Sequence, residues 1–413
     1  MSATDETLSP TSPSHAETTG DQRISSPSSG GPTGTPLSGE LRTRLRKAAP
    51  AVLYITVRIL GLLVLAAVSA ARGEHFTNQL YSWDAEWYLE IAANGYSGVD
   101  PTMVDGNGNR TEETPLAFFP GLPLMIRLLA TLPGLGASQA GILVSLVAGI
   151  VCAYGLARLG RLIGGSERVG LLLVVLFAAA PMSIVLSMPY TEVLFCAAAA
   201  WGLLGVLERR WLLAGLCCLA AGLIRPTGAV LIAVVMLAAL VAIARGRDGR
   251  RPWAALLLAP AGMLGYLAWV GVRTGEPGGY FEVQQRGWSS SFDGGAATSR
   301  FVGETLTENE GAFVTLTALL VVCAVVLLIL CLSMRLAWPI VLFAALTLAL
   351  DLGSDGLMYS KVRLMLPAFP LLLPIAIGLA GRRTSTAVVS LALFLGFGSW
   401  FSAYALAVWP YAI

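Results

Sequence analysis

Residues 50–71 read PAVLYITVRILGLLVLAAVSAA, an apolar run long enough to cross a lipid bilayer. Such a crossing requires about 20 mostly apolar residues in a helix. Further runs of this kind cover residues 138–157, 169–187, 190–207, 211–224, 226–244, 253–272, 312–333, 336–350, 363–380 and 385–408. The sequence therefore predicts an all-α, polytopic membrane protein with about eleven transmembrane helices.

The overall composition supports the same class. Hydrophobic residues make up 55% of the chain and charged residues only 13%, whereas a soluble globular domain carries about 25% charged residues. The formal net charge of +2 is too small to indicate a nucleic-acid partner. The lipid bilayer is the first predicted partner.

The N-terminal segment differs from the rest of the chain. It is rich in Ser, Thr, Pro and Gly, a composition that cannot bury a core. We expect residues 1–47 to form a disordered cytoplasmic tail that ends in a basic cluster, and residues 48–413 to form the membrane-embedded domain. The cluster consists of Arg42, Arg44, Arg46 and Lys47.

The topology depends on residues 117–133, which are apolar but contain Pro120 and Pro123 near their start and Arg127 in their middle. If they do not cross, the basic loops all fall on one side, which the positive-inside rule assigns to the cytoplasm. The residues on that side are Arg158, Arg161, Arg168, Arg209, Arg210, Arg245, Arg247, Arg250, Arg251, Arg335, Arg382 and Arg383. We therefore place 117–133 as an interfacial helix and predict a cytoplasmic N-terminus.

This topology puts two long acidic loops, 73–116 and 274–311, on the extracytoplasmic face. Long loops often carry function, so we expect the active site there. The chain shows no ATP-binding P-loop and little cytoplasmic protein. The energy for a reaction would then arrive with the substrate.

The first of these loops contains a short acidic and aromatic segment. Residues 82–95 are expected to form a helix that Ser82 caps and Gly95 ends. Its apolar face would hold Asp84 against the membrane surface, where it can act as a general base. Glu86 is the second catalytic candidate, and Trp83, Trp87 and Glu90 are substrate-binding candidates. The alternative is that Asp84 only stabilises the helix N-terminus.

Cations at the predicted outer face form a second group of candidates. Lys361 and Arg363 lie where the positive-inside rule expects few cations, and both can bind phosphate oxygens. Arg225 breaks two apolar runs and can act as an anion clamp. The structural alternatives are ion pairs of Lys361 with Asp351 or Asp355, and an Arg225 side chain that reaches the headgroups.

Trp288 lies in the second outer loop and can stack on a sugar or join an interfacial aromatic belt. The six cysteines lie in apolar runs, and neither they nor the histidines have the spacing of a metal site. We predict no cofactor, while the sequence leaves a divalent metal open.

Two motifs resemble the PIG-V family of mannosyltransferases, which act in GPI-anchor assembly and have bacterial relatives. They read Trp83-Asp84-x-x-x-Tyr88-x-x-Ile91-Ala92-x-x-Gly95-Tyr96 and Phe118-Phe119-Pro120-x-x-Pro123. Weaker similarities follow in the same order at 181–195, at Arg225-x-x-Gly228, at 275–288 and at 363–370. The resemblance covers roughly residues 54–409, although Pro226-Thr227 departs from the family's usual pattern.

The resemblance implies a GT-C fold and an inverting glycosyltransferase that takes mannose from a polyprenyl-phosphate-mannose donor. It implies that Asp84 is the acidic residue of the first outer loop that takes part in catalysis. It also adds Tyr190 and Glu192 as substrate-binding candidates. The acceptor would be a lipid-linked glycan or another cell-envelope glycolipid, and the location would be the cell membrane.

Two other classes of function remain open at this point. A polyprenyl-lipid or glycolipid transporter would carry buried charges along a central path and would often show internal repeats. A non-catalytic subunit of an envelope complex would tolerate substitution of Asp84. The one-sided distribution of the carboxylates favours the enzyme.

Overall fold

A computed structural model describes residues 39–308 and 310–411. In this part of the chain the regular structure is helical, with one isolated β-bridge between Phe292 and Ser354. The prediction of an all-α fold is confirmed. Residues 1–38 of the expected disordered tail lie outside the described residues, whereas residues 39–47 belong to the first helix, Gly39–Ala71, and are not disordered.

The described part of the chain contains long membrane helices, shorter apolar helices and several short helices in the loops. The α-helices are, in chain order, α1 (Gly39–Ala71), α2 (Phe76–Gln79), α3 (Asp84–Asn94), α4 (Gly121–Leu129), α5 (Ala137–Gly164), α6 (Glu167–Ala178), α7 (Thr191–Leu207), α8 (Trp211–Ile224), α9 (Gly228–Ala244), α10 (Arg251–Leu258), α11 (Ala261–Thr274), α12 (Gly279–Trp288), α13 (Ala296–Thr307), α14 (Ala312–Ser333), α15 (Trp338–Leu352), α16 (Lys361–Leu364), α17 (Leu373–Ala380) and α18 (Thr384–Ala407). Short 3₁₀ segments lie at Thr114–Ala117, Ser183–Ser187, Met358–Ser360 and Leu366–Leu372.

Several of these helices are long and apolar enough to cross a membrane. They are Thr43–Ala71, Ala137–Gly164, Arg251–Thr274, Ala312–Ser333 and Thr384–Ala407. The segments Met358–Leu364 and Leu366–Ala380, bent by 60°, form a sixth span if they are taken together. The chain is therefore a polytopic membrane protein.

The remaining predicted spans coincide with shorter helices. These are α6 with 12 residues, α7 with 17, α8 with 14, α9 with 17 and α15 with 15. Helices of this size rise about 18–26 Å, less than the roughly 30 Å of a hydrocarbon core. The total of eleven spans therefore stays a prediction.

The segment 117–133 does not form a span. Its α-helix, α4, has only nine residues, so it rises about 13 Å. Leu122 and Ile126 are buried, whereas Leu124 and Leu128 are exposed. The buried face therefore packs against protein and the exposed face is apolar, which suits contact with lipid at the membrane interface.

The helices that carry the core approach each other closely at small residues. Helix α5 ends at Gly164, and Gly165 follows with a φ of +71°. The Ser166 hydroxyl then accepts a hydrogen bond from the Val169 backbone N–H. After this tight turn α6 runs back along α5, where a Cβ at Gly160 would lie 2.7 Å from the Gly170 Cα. Small residues that allow such backbone contact are a common means of helix association in membranes.

This close contact leads to a prediction about stability. A Cβ at Gly170 would collide with the Ala157 carbonyl oxygen, so Gly170→Ala should lower the free energy of unfolding by about 1–3 kcal/mol. Gly396 in α18 has open space at its Cβ position, and Gly396→Ala should stabilise by about 0.5–1 kcal/mol through backbone entropy. Unfolding of the detergent-solubilised variants measures both effects. Equal stability of the two variants would contradict the close α5–α6 contact.

Basic and acidic side chains pair at one end of the helices. Arg158 contacts Glu208 at 2.6 Å, and Arg46 contacts Glu167 at 2.6 Å. Arg209 lies 3.4 Å from Asp248 in the next turn on this side. The basic turns of the topology prediction therefore contact one another, and the long loops connect the opposite helix ends.

Candidate active site

Helix α3 begins at Asp84 and ends at Asn94, and Gly95 follows with a φ of +74°. The predicted end at Gly95 is confirmed, because this φ suits a residue without a Cβ. The predicted cap at Ser82 is wrong, since the Ser82 hydroxyl donates to the Gln79 carbonyl at 2.8 Å. Trp83 takes the N-cap position with a φ of +59°, a costly conformation of the kind that clusters at functional sites.

The apolar face of α3 packs against protein. Trp87 is buried, and its ring stacks on Phe118 with centroids 5.1 Å apart. Tyr88 contacts the same ring edge-on at 5.2 Å. The expectation that this face lies on the membrane surface is therefore wrong. Phe118 of the second motif fixes α3 and thereby the position of Asp84.

Charged residues from distant parts of the chain meet at the start of α3. Arg363 Nη1 donates to Asp84 Oδ2 at 2.7 Å, across 279 residues of sequence. Arg363 Nε lies 3.5 Å from Glu192 Oε1, and Arg225 Nη1 lies 3.3 Å from the same oxygen. Carboxylates and guanidinium groups thus alternate along a chain of contacts. We call this chain the charge array: Asp84, Arg363, Glu192 and Arg225.

The members of the charge array differ in burial. The Glu192 side chain is 2% exposed and that of Arg225 is 9% exposed. Arg363 is also 9% exposed, whereas Asp84 retains 33% of its side-chain surface. Burial of unpaired charges costs several kcal/mol each, so the alternation stabilises the interior members. Asp84 is the member that solvent or a substrate can reach.

Tyr190 connects the charge array to the backbone before Asp84. Its ring centroid lies 5.3 Å from the Arg363 guanidinium carbon, a cation–π distance. Its hydroxyl donates to the Ser82 carbonyl at 3.2 Å. Tyr190 therefore fixes both the guanidinium and the turn that precedes α3.

Lys361 lies beside Arg363 in α16 but makes different contacts. Its Nζ donates to the backbone carbonyls of Asp351 and Ser354, each at 2.7 Å, and the residue is 2% exposed. A cation at these carbonyls also stabilises the C-terminal end of α15. Lys361 contributes positive charge to the site from a buried position.

Many buried side-chain polar atoms around the charge array have no hydrogen-bond partner among the described residues. They are Glu192 Oε2, Arg225 Nε and Nη1, Thr227 Oγ1, Thr347 Oγ1, both Asp351 carboxylate oxygens, Ser360 Oγ and Arg363 Nε. Folded proteins leave few such groups unpaired. Their concentration here indicates a site that binds a polar ligand with both donors and acceptors.

The other candidates of the first loop lie outside the charge array. Trp83 and Glu86 are exposed, and partial desolvation raises the pKa of the Glu86 carboxyl above its ordinary value. Glu90 accepts hydrogen bonds from the Asn94 amide at 2.6 Å and the Asp100 backbone at 3.3 Å. Trp83 and Glu86 are close to Asp84 in sequence, but residues one or two positions apart on a helix do not face each other.

The second long loop folds over the first. Trp288 is half-buried with its ring edge-on to Phe118 at 5.6 Å. Asn107 donates to the Arg286 carbonyl at 2.8 Å, and Arg286 pairs with Glu113 at 2.6 Å. Trp288 thus belongs to the wall of packed aromatic rings that supports α3.

Two polar residues within apolar helices were missing from the sequence-based candidates. Arg58 of α1 is buried and donates to Ser183 at 2.8 Å and to Ser187 at 2.9 Å. It thereby anchors the segment that precedes Tyr190 and Glu192. Asp351 of α15 is the second. Charged residues inside spans are usually functional, and that signal was available in the sequence.

Within residues 39–308 and 310–411, no group of three or more His, Cys, Asp and Glu side chains is arranged to hold a metal ion.

Together the described helices define a polytopic membrane protein. No family model and no curated protein matches the chain. Among solved structures, it is similar to ArnT from Cupriavidus metallidurans bound to undecaprenyl phosphate, with a TM-score of 0.53 and 16% sequence identity. The match covers 83% of this chain and 62% of the longer ArnT chain. At this identity the likeness shows the fold.

Proposed function

We propose that the protein is a membrane glycosyltransferase that moves mannose from polyprenyl-phosphate-mannose to a lipid-linked glycan or another cell-envelope acceptor. The charge array carries this proposal, because it combines one accessible carboxylate with buried cations that have unpaired donors. The ArnT structure, which contains undecaprenyl phosphate, supports a polyprenyl-phosphate donor. The PIG-V motifs support mannose.

Arg363 and Arg225 are the proposed ligands of the donor phosphate. Guanidinium groups form strong charge-assisted hydrogen bonds with phosphate oxygens, and Arg225 Nε has neither a hydrogen-bond partner nor an ion-pair contact among the described residues. Lys361 adds a positive charge nearby. As the sugar leaves, negative charge grows on the lipid phosphate, and fixed cations stabilise it without having to reorganise.

Asp84 is the proposed general base. Its carboxylate takes the proton of the acceptor hydroxyl while the acceptor oxygen attacks C1 of the sugar. The bond between C1 and the phosphate oxygen breaks through an oxocarbenium-like state, as in glycoside chemistry generally. The products are the inverted glycoside and the polyprenyl phosphate.

The proposed location follows from the charge distribution. Basic turns lie at the helix ends opposite the charge array, and basic loops remain in the cytoplasm. We therefore place the active site at the extracytoplasmic face of the cell membrane. A donor already anchored in that leaflet needs no ATP.

Transfer by the purified protein in lipid nanodiscs tests the proposed function. Polyprenyl-phosphate-mannose carrying a radiolabelled sugar should lose its label to an added glycolipid extract and release polyprenyl phosphate. GDP-mannose should give no product, because its sugar lacks the lipid. Label that stays on the donor would contradict the proposal. Movement of intact donor across a proteoliposome membrane without transfer would support a transporter.

A further inference from the structure

Asp351 is an acidic residue in the last turn of an otherwise apolar helix, α15. It is 6% exposed, and both of its carboxylate oxygens lack a hydrogen-bond partner within the described structure. Burial of a carboxylate without partners costs several kcal/mol. A residue kept in this state indicates a ligand that supplies the missing hydrogen bonds.

The neighbouring cations do not satisfy this carboxylate directly. Lys361 Nζ donates to the backbone carbonyl of Asp351 rather than to its side chain. In the described part of the chain, no Lys or Arg nitrogen lies within 4.0 Å of its carboxylate oxygens. Burial is the larger influence on the Asp351 carboxyl, and the nearby charges of Lys361, Arg225 and Arg363 offset it in part. Asp351 therefore lies beside the proposed phosphate site, but its carboxylate is not paired with the cations of that site.

A second unpaired group lies on the same face of α15. Thr347, one helical turn before Asp351, is buried, and its hydroxyl has no partner among the described residues. Residues four positions apart lie next to each other on a helix surface. Helix α15 therefore carries the two Asp351 carboxylate oxygens and the Thr347 hydroxyl on one face.

The chemistry of these groups selects the part of the donor that they can bind. An ionised carboxylate only accepts hydrogen bonds and repels a phosphate anion. Sugar hydroxyls donate hydrogen bonds, and in the donor the sugar is joined to the phosphate by a single oxygen. A sugar bound through its phosphate at Arg363 and Arg225 would place its hydroxyls beside the cations, where Asp351 lies.

We propose that Asp351 binds hydroxyl groups of the transferred sugar and determines sugar selectivity, with Thr347 in support. This inference rests on the proposed function. It implies a sugar with free hydroxyls at the positions that Asp351 contacts. Removal of a contacted hydroxyl from the donor should have the same effect as removal of the carboxylate.

The test compares two lipids on full-length protein in nanodiscs: polyprenyl phosphate and polyprenyl-phosphate-mannose. Asp351→Asn should bind bare polyprenyl phosphate at least as tightly as the native protein does, because a negative charge near the phosphate is removed. It should lose about tenfold to hundredfold in affinity for the mannosyl lipid, as expected for hydrogen bonds to a charged group. Asp248→Asn removes a partly buried acid from the opposite helix ends and should leave both affinities unchanged.

The outcomes separate the two proposals. If Asp351→Asn weakens both lipids equally, or neither, Asp351 is a structural counter-charge and the selectivity proposal is overturned. If the native protein binds neither lipid, the proposed function fails and the inference fails with it. Should Asp351→Asn not fold, Thr347→Val replaces it, with an expected loss of about fivefold for the mannosyl lipid alone. An unchanged affinity of that variant would overturn the inference.

Discussion

Asp84→Asn is expected to lower the rate of mannosyl transfer by about 10²–10⁴, the usual contribution of a general base. In the native protein Arg363 Nη1 donates a hydrogen bond to Asp84 at 2.7 Å. Asparagine has the same size as aspartate, and its side-chain oxygen can still accept this hydrogen bond. It cannot take the acceptor proton. Donor binding should therefore remain while transfer is lost, as a single-turnover assay beside a lipid-binding assay would show.

Asp100→Asn is the matched control for this experiment. Asp100 is an exposed acid of the same loop that accepts hydrogen bonds from Thr102. Its substitution should leave transfer near the native rate. Near-native transfer by Asp84→Asn would assign Asp84 a purely structural role. The search for the base would then move to Glu86 and Glu90.

Arg363→Gln has the second large expected effect, because Arg363 contacts both Asp84 and Glu192. Loss of the guanidinium leaves the buried Glu192 with Arg225 alone and leaves Asp84 without a cation. We expect the free energy of unfolding to fall by about 3–5 kcal/mol, as for a broken buried ion pair. The transfer rate of the folded fraction should fall by about 10²–10³, as for one lost transition-state donor.

Two further variants make this result specific. Arg158→Gln breaks a more exposed pair with Glu208 at the opposite helix ends and should cost about 0–1 kcal/mol with no change in donor affinity. Arg363→Lys keeps the charge but lacks the planar fork, so it should recover stability more than activity. Native donor affinity in Arg363→Gln would show that the phosphate binds elsewhere.

Much of the architecture follows from the sequence because hydropathy is a local property. Apolar runs predicted the helices, and the basic turns fixed their relative direction without any tertiary contact. The number of spans does not follow from hydropathy alone, because α6 and α8 are apolar but short. Whether a short helix crosses depends on its neighbours and on the local bilayer.

The site was only partly predictable. The positions of Asp84, Glu192, Arg225 and Arg363 were identified one by one from motifs and topology, but their alternating contacts are made between residues far apart in sequence. The cap at Ser82 was wrong because tertiary contacts decide that turn. Tyr190 binds the Ser82 carbonyl, and Trp83 adopts a strained conformation that local propensity disfavours.

Asp351 and Arg58 show that average hydropathy also hides single charged residues. Each is a single charge inside or beside a strongly apolar run, so the average hydropathy still predicts a span and hides the exception. The structure shows that Arg58 holds Ser183 and Ser187. A search for isolated charges within predicted spans would have found both residues.

The position of bound polyprenyl phosphate is the direct test of whether the charge array binds the donor phosphate. A cryo-electron microscopy structure of the protein in nanodiscs with this lipid should show the phosphate in contact with the charge array. We expect phosphate oxygens about 2.7–2.9 Å from the Arg363 guanidinium nitrogens, with the Asp84 carboxylate facing the adjoining space. Phosphate density away from Arg363 and Arg225, with the charge array unchanged, would contradict the account.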